Sequence, residues 1–424
     1  MNSYIPRHRV TIKRAANNFE EEDISADVRA ISTSKAYGNP LGTFTIVTTF
    51  NQRINNLRYD QVVKTNDIVL IELDKGAGDG LKPVMLGLFS APERVLSFDE
   101  EGRPIRTCHL SGYDFGKILT QHHCKWLTAP SPDHLGSEKA ITSVQYGAAL
   151  EPGGTANTIV KKILEVELYN YLEWTKQYIT TDMVNSVDVW RTAGVIFSYH
   201  DTIWGAISQY ANMPYNMLHA DTGQNKKFNI ILEKCPFSNS TGKLERQEFK
   251  KIDLSDVIAY QLGANDHDRV NYIFNQVRCG MFGEASGTPL LLIKGDAVKY
   301  DDPATSILKH GFRPSFLQSN FVPFDIPAGS FPQLTDSGNN PDIRRAVREQ
   351  TDAFWSWYKD NHLYESGTVS VHGDPDFRSG DAAIYPENNF EYMVQQVNHA
   401  YSIFPTISFK SSLHLVRGQK HGNS

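Results

Sequence analysis

The stretch from Tyr364 to Gly418 constrains the fold of this chain more than any other. It is a succession of short β-prone runs broken by turn residues. A strand around Val369 and Val371 is followed by the turn His372-Gly373-Asp374-Pro375 and a second turn, Ser379-Gly380-Asp381. A strand carrying Tyr392, Val394 and Val397 then leads through His399-Ala400-Tyr401 to a last strand ending at Arg417-Gly418. Glycine supplies positive φ, and aspartate the local side-chain hydrogen bond, that tight connections between neighbouring strands require. Nothing in the run has the pattern of a nucleophile, a metal cage or a phosphate cradle. It reads as scaffold.

The first hundred residues have the same character. Thr43 to Phe50, Asp67 to Leu73 and Val84 to Val95 are dense in β-branched and aromatic residues, and the glycine-rich KGAGDGLKP is a flexible loop joining two of them. Thr107 to Leu119 starts as a strand and turns helical near Asp114, a candidate N-cap. The order fits a small barrel. From about residue 115 to 221 the pattern becomes helical. Ile159, Val160, Ile163, Leu164 and Leu168 recur at helix spacing, as do Ile203, Trp204, Ile207 and Tyr210 before Pro214. FNIILEKCPF (Phe228 to Phe237) returns to strand, and LSDVIAYQLG predicts a short helix before an acidic turn at Asp266 to Asp268. A loop-rich excursion from Phe312 to Asn340 precedes an amphipathic helix carrying Ile343, Val347, Phe354, Trp355 and Tyr358.

With 424 residues the chain has room for two to four domains, and a formal net charge of −6 argues against a nucleic-acid coat or a polybasic membrane partner. Its cysteines (Cys108, Cys124, Cys235, Cys279) form no C-x-x-C pair and are expected to be reduced, structural thiols. The N-terminus has no apolar core of a secretory signal, and no window reaches the ~18 apolar residues of a membrane span. We therefore expect no signal-peptide export and no membrane anchor.

Candidate chemistry is sparse. KGAGDGLK and EPGGTANT do not continue into the G-K-[ST] of a phosphate loop and read as hairpin loops. His122, His123 and Cys124 are adjacent, which points their side chains apart, whereas zinc ligands sit two to four residues apart beside a second pair. Asn265 to Asp268 lacks the glycine and terminal glutamate of a calcium loop and reads as a turn. The acidic run Glu20 to Asp23 reads as solvated, and Glu165 and Glu167, two apart on a helix, point to different sides. No Ser/His/Asp or Cys/His pattern is present. The expectation is a protein with no catalytic residue, cofactor or metal. Two basic clusters remain, Arg7, His8, Arg9, Lys13 and Arg14 at the start and Arg417, Lys420 and His421 at the end. They are either solvated or docked on acidic neighbours.

One order of features points further. Tyr364, Glu365, Gly367 and Thr368 open the closing run, Gly373 and Pro375 make a Gly-x-Pro turn, and Gly380 and Asp381 precede the strand to Val397 and His399. The run closes on Arg417 and Gly418. This order resembles the hub proteins of contractile phage baseplates: the T4-type hub, the late-control D proteins, and the hub half of type VI secretion spikes. FNIILEKCPF, NYIFNQV and SILKHGFRPSF are similar to further stretches, although Lys234 and Cys235 stand where the family more often has Arg-Pro-Thr-Pro before the Phe.

The resemblance implies an α+β, predominantly β fold, with two tube-type β-barrel domains and helical and loop-rich inserted domains. On this reading residues 1–114 are the first barrel and 115–221 a mostly helical insertion. Residues 222–282 and 364–419 make a discontinuous second barrel, and 283–363 a second insertion. It implies a homotrimer whose six barrels match a six-fold tail tube above and a three-fold central spike below. Wedge and tape measure proteins would be further partners, and DNA would pass only in transit. The place of action would be the tail baseplate of a virion assembled in the host cytoplasm. Lys75, Gly76, Gly78, Asp79 and Lys82 are then expected at a tube or ring interface, and the twelve motif residues above, Arg417 and Gly418 among them, are expected to be structural. The end at Ser424, with no needle-like extension, favours the phage machine over the secretion spike. The rival of another class is a tail-associated cell-wall hydrolase or glycan-binding protein with a pocket near Trp355 and Trp357.

Overall fold

Alternation of buried and exposed residues builds most of this molecule. In Thr43–Thr49, for example, Phe44, Ile46 and Thr48 point inward while their neighbours face out. The computed structural model describes residues 5–50, 53–54, 57–98, 102–124, 155–169, 172–182, 184–185, 191–192, 202–246, 248–282, 289–300, 307–319, 321–322 and 341–421. Numbering only the longer strands, the first β half comprises β1 (Arg7–Lys13), β2 (Glu21–Asp23), β3 (Val28–Ala36), β4 (Thr43–Thr49), β5 (Ile68–Asp74), β6 (Lys82–Phe89), β7 (Glu93–Phe98) and β8 (Pro104–Asp114). The middle of the chain supplies α1 (Ala156–Ile163), α2 (Ile203–Gln209), β9 (Asn216–Thr222) and β10 (Phe228–Lys234). It continues with β11 (Val257–Ala264), β12 (Tyr272–Phe282), β13 (Pro289–Tyr300), β14 (Pro314–Ser319) and α3 (Pro341–Tyr358). The end supplies β15 (Glu365–His372), β16 (Ala382–Tyr385), β17 (Phe390–Ser402) and β18 (Ser408–Lys420).

The fold is α+β and predominantly β, and its two β halves share one 14-stranded sheet in the order β11-β15-β18-β17-β3-β4-β8-β6-β5-β1-β2. Strand β7 branches from β8, and β16, itself paired with Lys250–Lys251, branches from β17. Strand β17 makes the junction. Along one edge it pairs with β18 throughout. Along the other it pairs first with β16 (Phe390 to Met393), then with β3, from Gln396 opposite Ala36 to Ser402 opposite Ala30. Register shifts between Glu391 and Met393 and between Val394 and Gln396 redirect the strand between its two partners, as bulges do.

Among the described residues four cores hang on this frame. Val10, Ile12, Ile31, Phe44, Ile46 and Ile71 fill the first half. Val369, Val371, Tyr392, Val394, Leu413 and Leu415 fill the second. Helix α3 lays Phe354 and Trp357 against Met393, Ala382, Cys235 and Phe237, and Trp357 Nε1 donates to the Ser238 carbonyl at 3.0 Å. The middle helices pack Ile159, Ile163 and Ile207 on Phe228, Ile230 and Leu232, and reach Leu86, Leu88 and Phe115 of the first half.

One segment differs from expectation. The run expected as a short helix is a single 3-10 turn, Leu254–Asp256, followed by β11, which pairs antiparallel with β15. Val257, Ile258 and Tyr260 favour strand, and the partner edge decides between the alternatives. Strand β10 lies in a separate four-stranded sheet with β9, and β12 in a three-stranded sheet with β13 and β14. Of residues 222–282, therefore, β11 and Lys250–Lys251 enter the large sheet. Much of the Phe312 to Asn340 excursion, and the first part of EPGGTANT, lie outside the described residues.

A buried ion pair sits where the first half meets the middle module. Lys35 Nζ bonds Asp114 Oδ2 and the Pro40 carbonyl (2.7 Å), and lies 5.2 Å above the Phe228 ring. Asp114 Oδ1 accepts from Gly116 N at 3.0 Å, which satisfies the start of the short helix Gly116–Gln121. Burial pushes the Asp114 carboxyl up and Lys35 pulls it back. Asp114→Ala leaves a buried ammonium without its partner and is expected to cost about 3–5 kcal/mol in urea denaturation. The double replacement Lys35→Met with Asp114→Leu is expected to recover most of that. A single variant as stable as wild type would remove the pair from the account of the fold.

Candidate functional site

The closing motif is built into the second half. Tyr364 lies under the Arg417 guanidinium at 4.8 Å, and the Phe237 ring is 3.9 Å from that guanidinium. Arg417 adopts positive φ and donates to the carbonyls of Trp357 (2.6 Å) and Gly242 (3.2 Å) and to Asn361 Oδ1 (3.1 Å). It thus fastens β18 to the end of α3. Glu365 accepts from Tyr392 Oη at 2.7 Å and from Asn388 at 3.0 Å. Gly418 faces the Tyr392 ring, where a Cβ would stand 2.1 Å from Cε1, and Gly367 faces the Gln261 carbonyl of β11, where a Cβ would stand 1.9 Å away. Each position admits only glycine because a neighbour occupies the side-chain volume. Thr368 sits between His414 and Gln261 in the sheet, and Val397 is core. His399 is buried, with Nδ1 2.8 Å from Ser411 Oγ, and burial drops its pKa to about 3. Ser411 Oγ in turn accepts from Asp374 N, next to the Gly373 and Pro375 turn, and Gly373 N donates to the Phe409 carbonyl.

The loop from Lys75 to Lys82 is placed against this second half. Lys75 pairs with Asp256, and Lys82 with Asp376. Gly76 N donates to Asp74 Oδ1 at 2.8 Å, and Arg7 holds the other oxygen of that carboxylate. Gly78 and Asp79 form the exposed tip. A small cavity of about 90 Å³ separates the loop from Asp374, Pro375 and Asp376. The lysines therefore clasp the two halves of the same chain, and what they leave outward is the tip.

A larger, polar cleft of about 380 Å³ lies where the β9–β10 face meets the Asp376 to Asp381 turn. Alternation on β10 sends Phe228, Ile230 and Leu232 into the core and Asn229, Ile231 and Glu233 into the cleft. Glu233 is gripped at both oxygens by Arg246 (2.6 and 2.7 Å), with His219 Nε2 3.4 Å away. Burial works to raise its pKa, but the Arg246 and His219 contacts prevail and hold it at about 2. Gly380 lends its carbonyl to Arg246, and Asp381 accepts from Lys250 and from Arg378 N, each at 2.6 Å. Composition and spacing gave no sign of this cleft, because its residues come from separate elements. The polar alternation of β10 was the one legible hint.

The other chemical candidates are absorbed locally. Arg9, Lys13 and Arg14 pair with Asp23, Glu21 and Glu22, so the acidic run expected to be solvated is β2, zipped onto the basic β1. Asp266 is bound by Arg269 and Arg313 in a 3-10 turn capped by Asn265. Glu165 faces solvent beside Lys162, whereas Glu167 is buried. His123 bridges to Thr202, and no group of three metal-ligating side chains occurs among the described residues. Trp357 is core, and no helix among the described residues is long and apolar enough to cross a membrane.

No family model and no curated protein matches this chain in sequence. Solved structures do match in fold. A tail protein from Neisseria meningitidis MC58 superposes with a TM-score of 0.53 at 11% identity, covering 97% of this chain and 96% of its own. The 43 kDa tail protein of prophage MuSo2 from Shewanella oneidensis gives 0.51 at 12% identity, covering 97% and 98%. The likeness spans both halves and the modules between them, and at these identities it is a likeness of fold.

Two outcomes follow from the motif geometry. His399 takes up a proton near pH 6.5 when unfolded but only near 3 when folded, so the unfolded state binds more protons between those values. Its contribution is present above pH 6.5 and is lost as pH falls, at about 1.4 kcal/mol per unit. Denaturation at pH 7 and pH 5 should show about 2 kcal/mol less of this loss in His399→Gln than in wild type; equal loss in both would be contrary. Arg417→Lys keeps the charge but not the planar, multiply donating group, and should cost about 2–3 kcal/mol. Unchanged thermal stability with lost partner binding would instead make Arg417 an interface residue.

Proposed function

We propose that this chain is a structural tail protein, and within that class the baseplate hub of a contractile tail. It would be a homotrimeric ring that adapts a six-fold tube to a three-fold spike. The observation that carries the reading is the sheet with its free edges. Inside one chain the two β halves already join strand to strand through β17 and β3. Among the described residues strand β11 ends the sheet, paired on one side, and its sequence VIAYQLGA has no charge, with Ile258 and Tyr260 about half exposed. Among the described residues strand β7 pairs with β8 alone, and it exposes Leu96 and Phe98 beyond Glu93 and Arg94 at its start. Edges normally carry charges or cover that block further pairing, as β2 does with Glu21 and Asp23. An uncharged edge such as that of β11 invites a neighbouring copy, and a head-to-tail contact that closes gives a ring.

Shared fold with tail proteins over nearly the full length supports the same reading. In such a ring the exposed tip at Gly78 and Asp79 would meet the tube, while Lys75 and Lys82 hold the chain's own halves together. The pore would pass the tape measure protein and then DNA, and the spike and wedge proteins would complete the baseplate of the virion. The hydrolase alternative gains nothing from the cleft. A glycosidase needs a protonated carboxyl as well as a charged one, and Glu233 is held ionised.

Sedimentation and negative-stain imaging test the reading. Wild type should give a three-chain mass and a three-fold ring with a pore, each subunit showing two similar lobes. Ile258→Lys should keep the folded chain and its circular dichroism while reducing the mass to one chain. A monomeric, poreless wild type would overturn the proposal.

A further inference from the structure

The outer face of the shared sheet carries a pattern that packing does not require. Registers across β15, β18, β17, β3 and β4 put Ser370, Ser412, Asn398, Ser34 and Thr43 side by side in one row. The next row, from β18 to β8, is Lys410, Ala400, Ser32, Thr45 and Ser111. On the other side Thr368, His414 and Gln396 form a third. Neighbours along the strands, among them Val369, Leu413, Val397, Ile31 and Ile46, are core, so the three rows are the face turned away from it. Thr43, Ser32, Ala400 and Thr368 are exposed. Lys410 is the one lysine, arginine or acid on these rows, and Arg29 stands outside them, at the bulge where β3 begins. A soluble surface is ordinarily about 25–35% charged. The same sheet follows that rule elsewhere, since β1 and β2 expose Arg7, Arg9, Glu21 and Asp23.

We propose that this face is the wall of the pore, past which double-stranded DNA moves without being held. The inference rests on the ring reading and adds to it which surface of the chain faces the axis. Short hydroxyl and amide side chains offer little apolar area, so the face is a poor seat for a folded protein, whose contacts centre on aromatic and apolar residues. A duplex carries one negative charge per about 1.7 Å of its axis, and each lysine or arginine that meets a phosphate adds to a salt-dependent hold. A wall of acids would instead repel the chain and raise the cost of entry. A neutral polar wall does neither. At the joint the polar groups also satisfy one another. Gln396 Nε2 donates to Ser34 Oγ at 3.1 Å and to Asn398 Oδ1 at 3.0 Å, which leaves less to grip a passing phosphate. The rows cross the β17–β3 ladder unbroken, so both halves supply one continuous surface.

Position and partner are tested separately on the full chain. Ser34→Cys and Ser412→Cys, each labelled with a small maleimide-linked gold particle, should show the gold inside the central pore in negative-stain class averages, with labelled wild type as the background. Gold on the outer rim of an intact ring would overturn the inference and leave the ring standing, whereas a wild type without a ring removes both. Ser34→Lys combined with Ser412→Lys should bind a short DNA duplex at least about tenfold more tightly than wild type at low salt, and lose that gain as salt rises. A thermal melt checks that each variant is folded. Equal affinity of the folded double variant and wild type for the duplex would overturn the assignment of the partner.

Discussion

Everything in this molecule leans on the pairing of β17 with β3. Two stretches of chain more than 350 residues apart meet there in a seven-residue antiparallel ladder, from Gln396 opposite Ala36 to Ser402 opposite Ala30. The ladder makes one sheet from the two halves, while each half keeps its own core. The joint carries buried side chains on its inner face, Ile31, Val397, His399 and Tyr401 among them. It does not tolerate a change of register, because a slip of one residue would turn every core side chain to the wrong face. The bulges in β17 and the clasp of Lys75 and Lys82 on the second half hold that register from both sides.

Other features are arranged around the same joint. Lys35, on β3 opposite Val397, carries the buried ion pair to Asp114 and so ties the joint to the middle module. Tyr37, one residue past β3, stacks on His219 at the edge of the polar cleft. Arg417 does the corresponding work at the far end of the second half, where β18 meets α3. Polar groups in this protein mark the seams between modules, and the hydrophobic cores lie between the seams.

Much of the fold was legible in the sequence, for reasons that can be named. Turn residues at Gly373, Pro375, Gly380 and Asp381, and alternation from Val369 to Val397, are local signals, and local signals are what a sequence displays. Helix α3 was visible through its stripe, although the stripe missed Trp357, its largest buried side chain. Strand β11 was misread because a strand at the rim of a sheet, half exposed and short, carries little alternation; only its partner, β15, gives it identity. The acidic run Glu20 to Asp23 is largely exposed as expected, but its pairing with the cations of β1 was not legible, since only the hairpin brings them opposite. The cleft was almost invisible. It takes residues from β9, β10, the segment around Arg246 and the Asp376 to Asp381 turn, and no window of sequence holds them together.

Because β17 runs without interruption past β16 and then β3, one strand carries residues of both cores, Val394 and Val397 of the second half and Tyr401 of the first. A load applied to one half passes along that strand and into the ladder with β3 and β18, where many hydrogen bonds resist together instead of parting one at a time. A hinge between the halves has no loop in which to form there. The molecule is thus suited to transmit a push as a stiff plate, with the two halves moving as one.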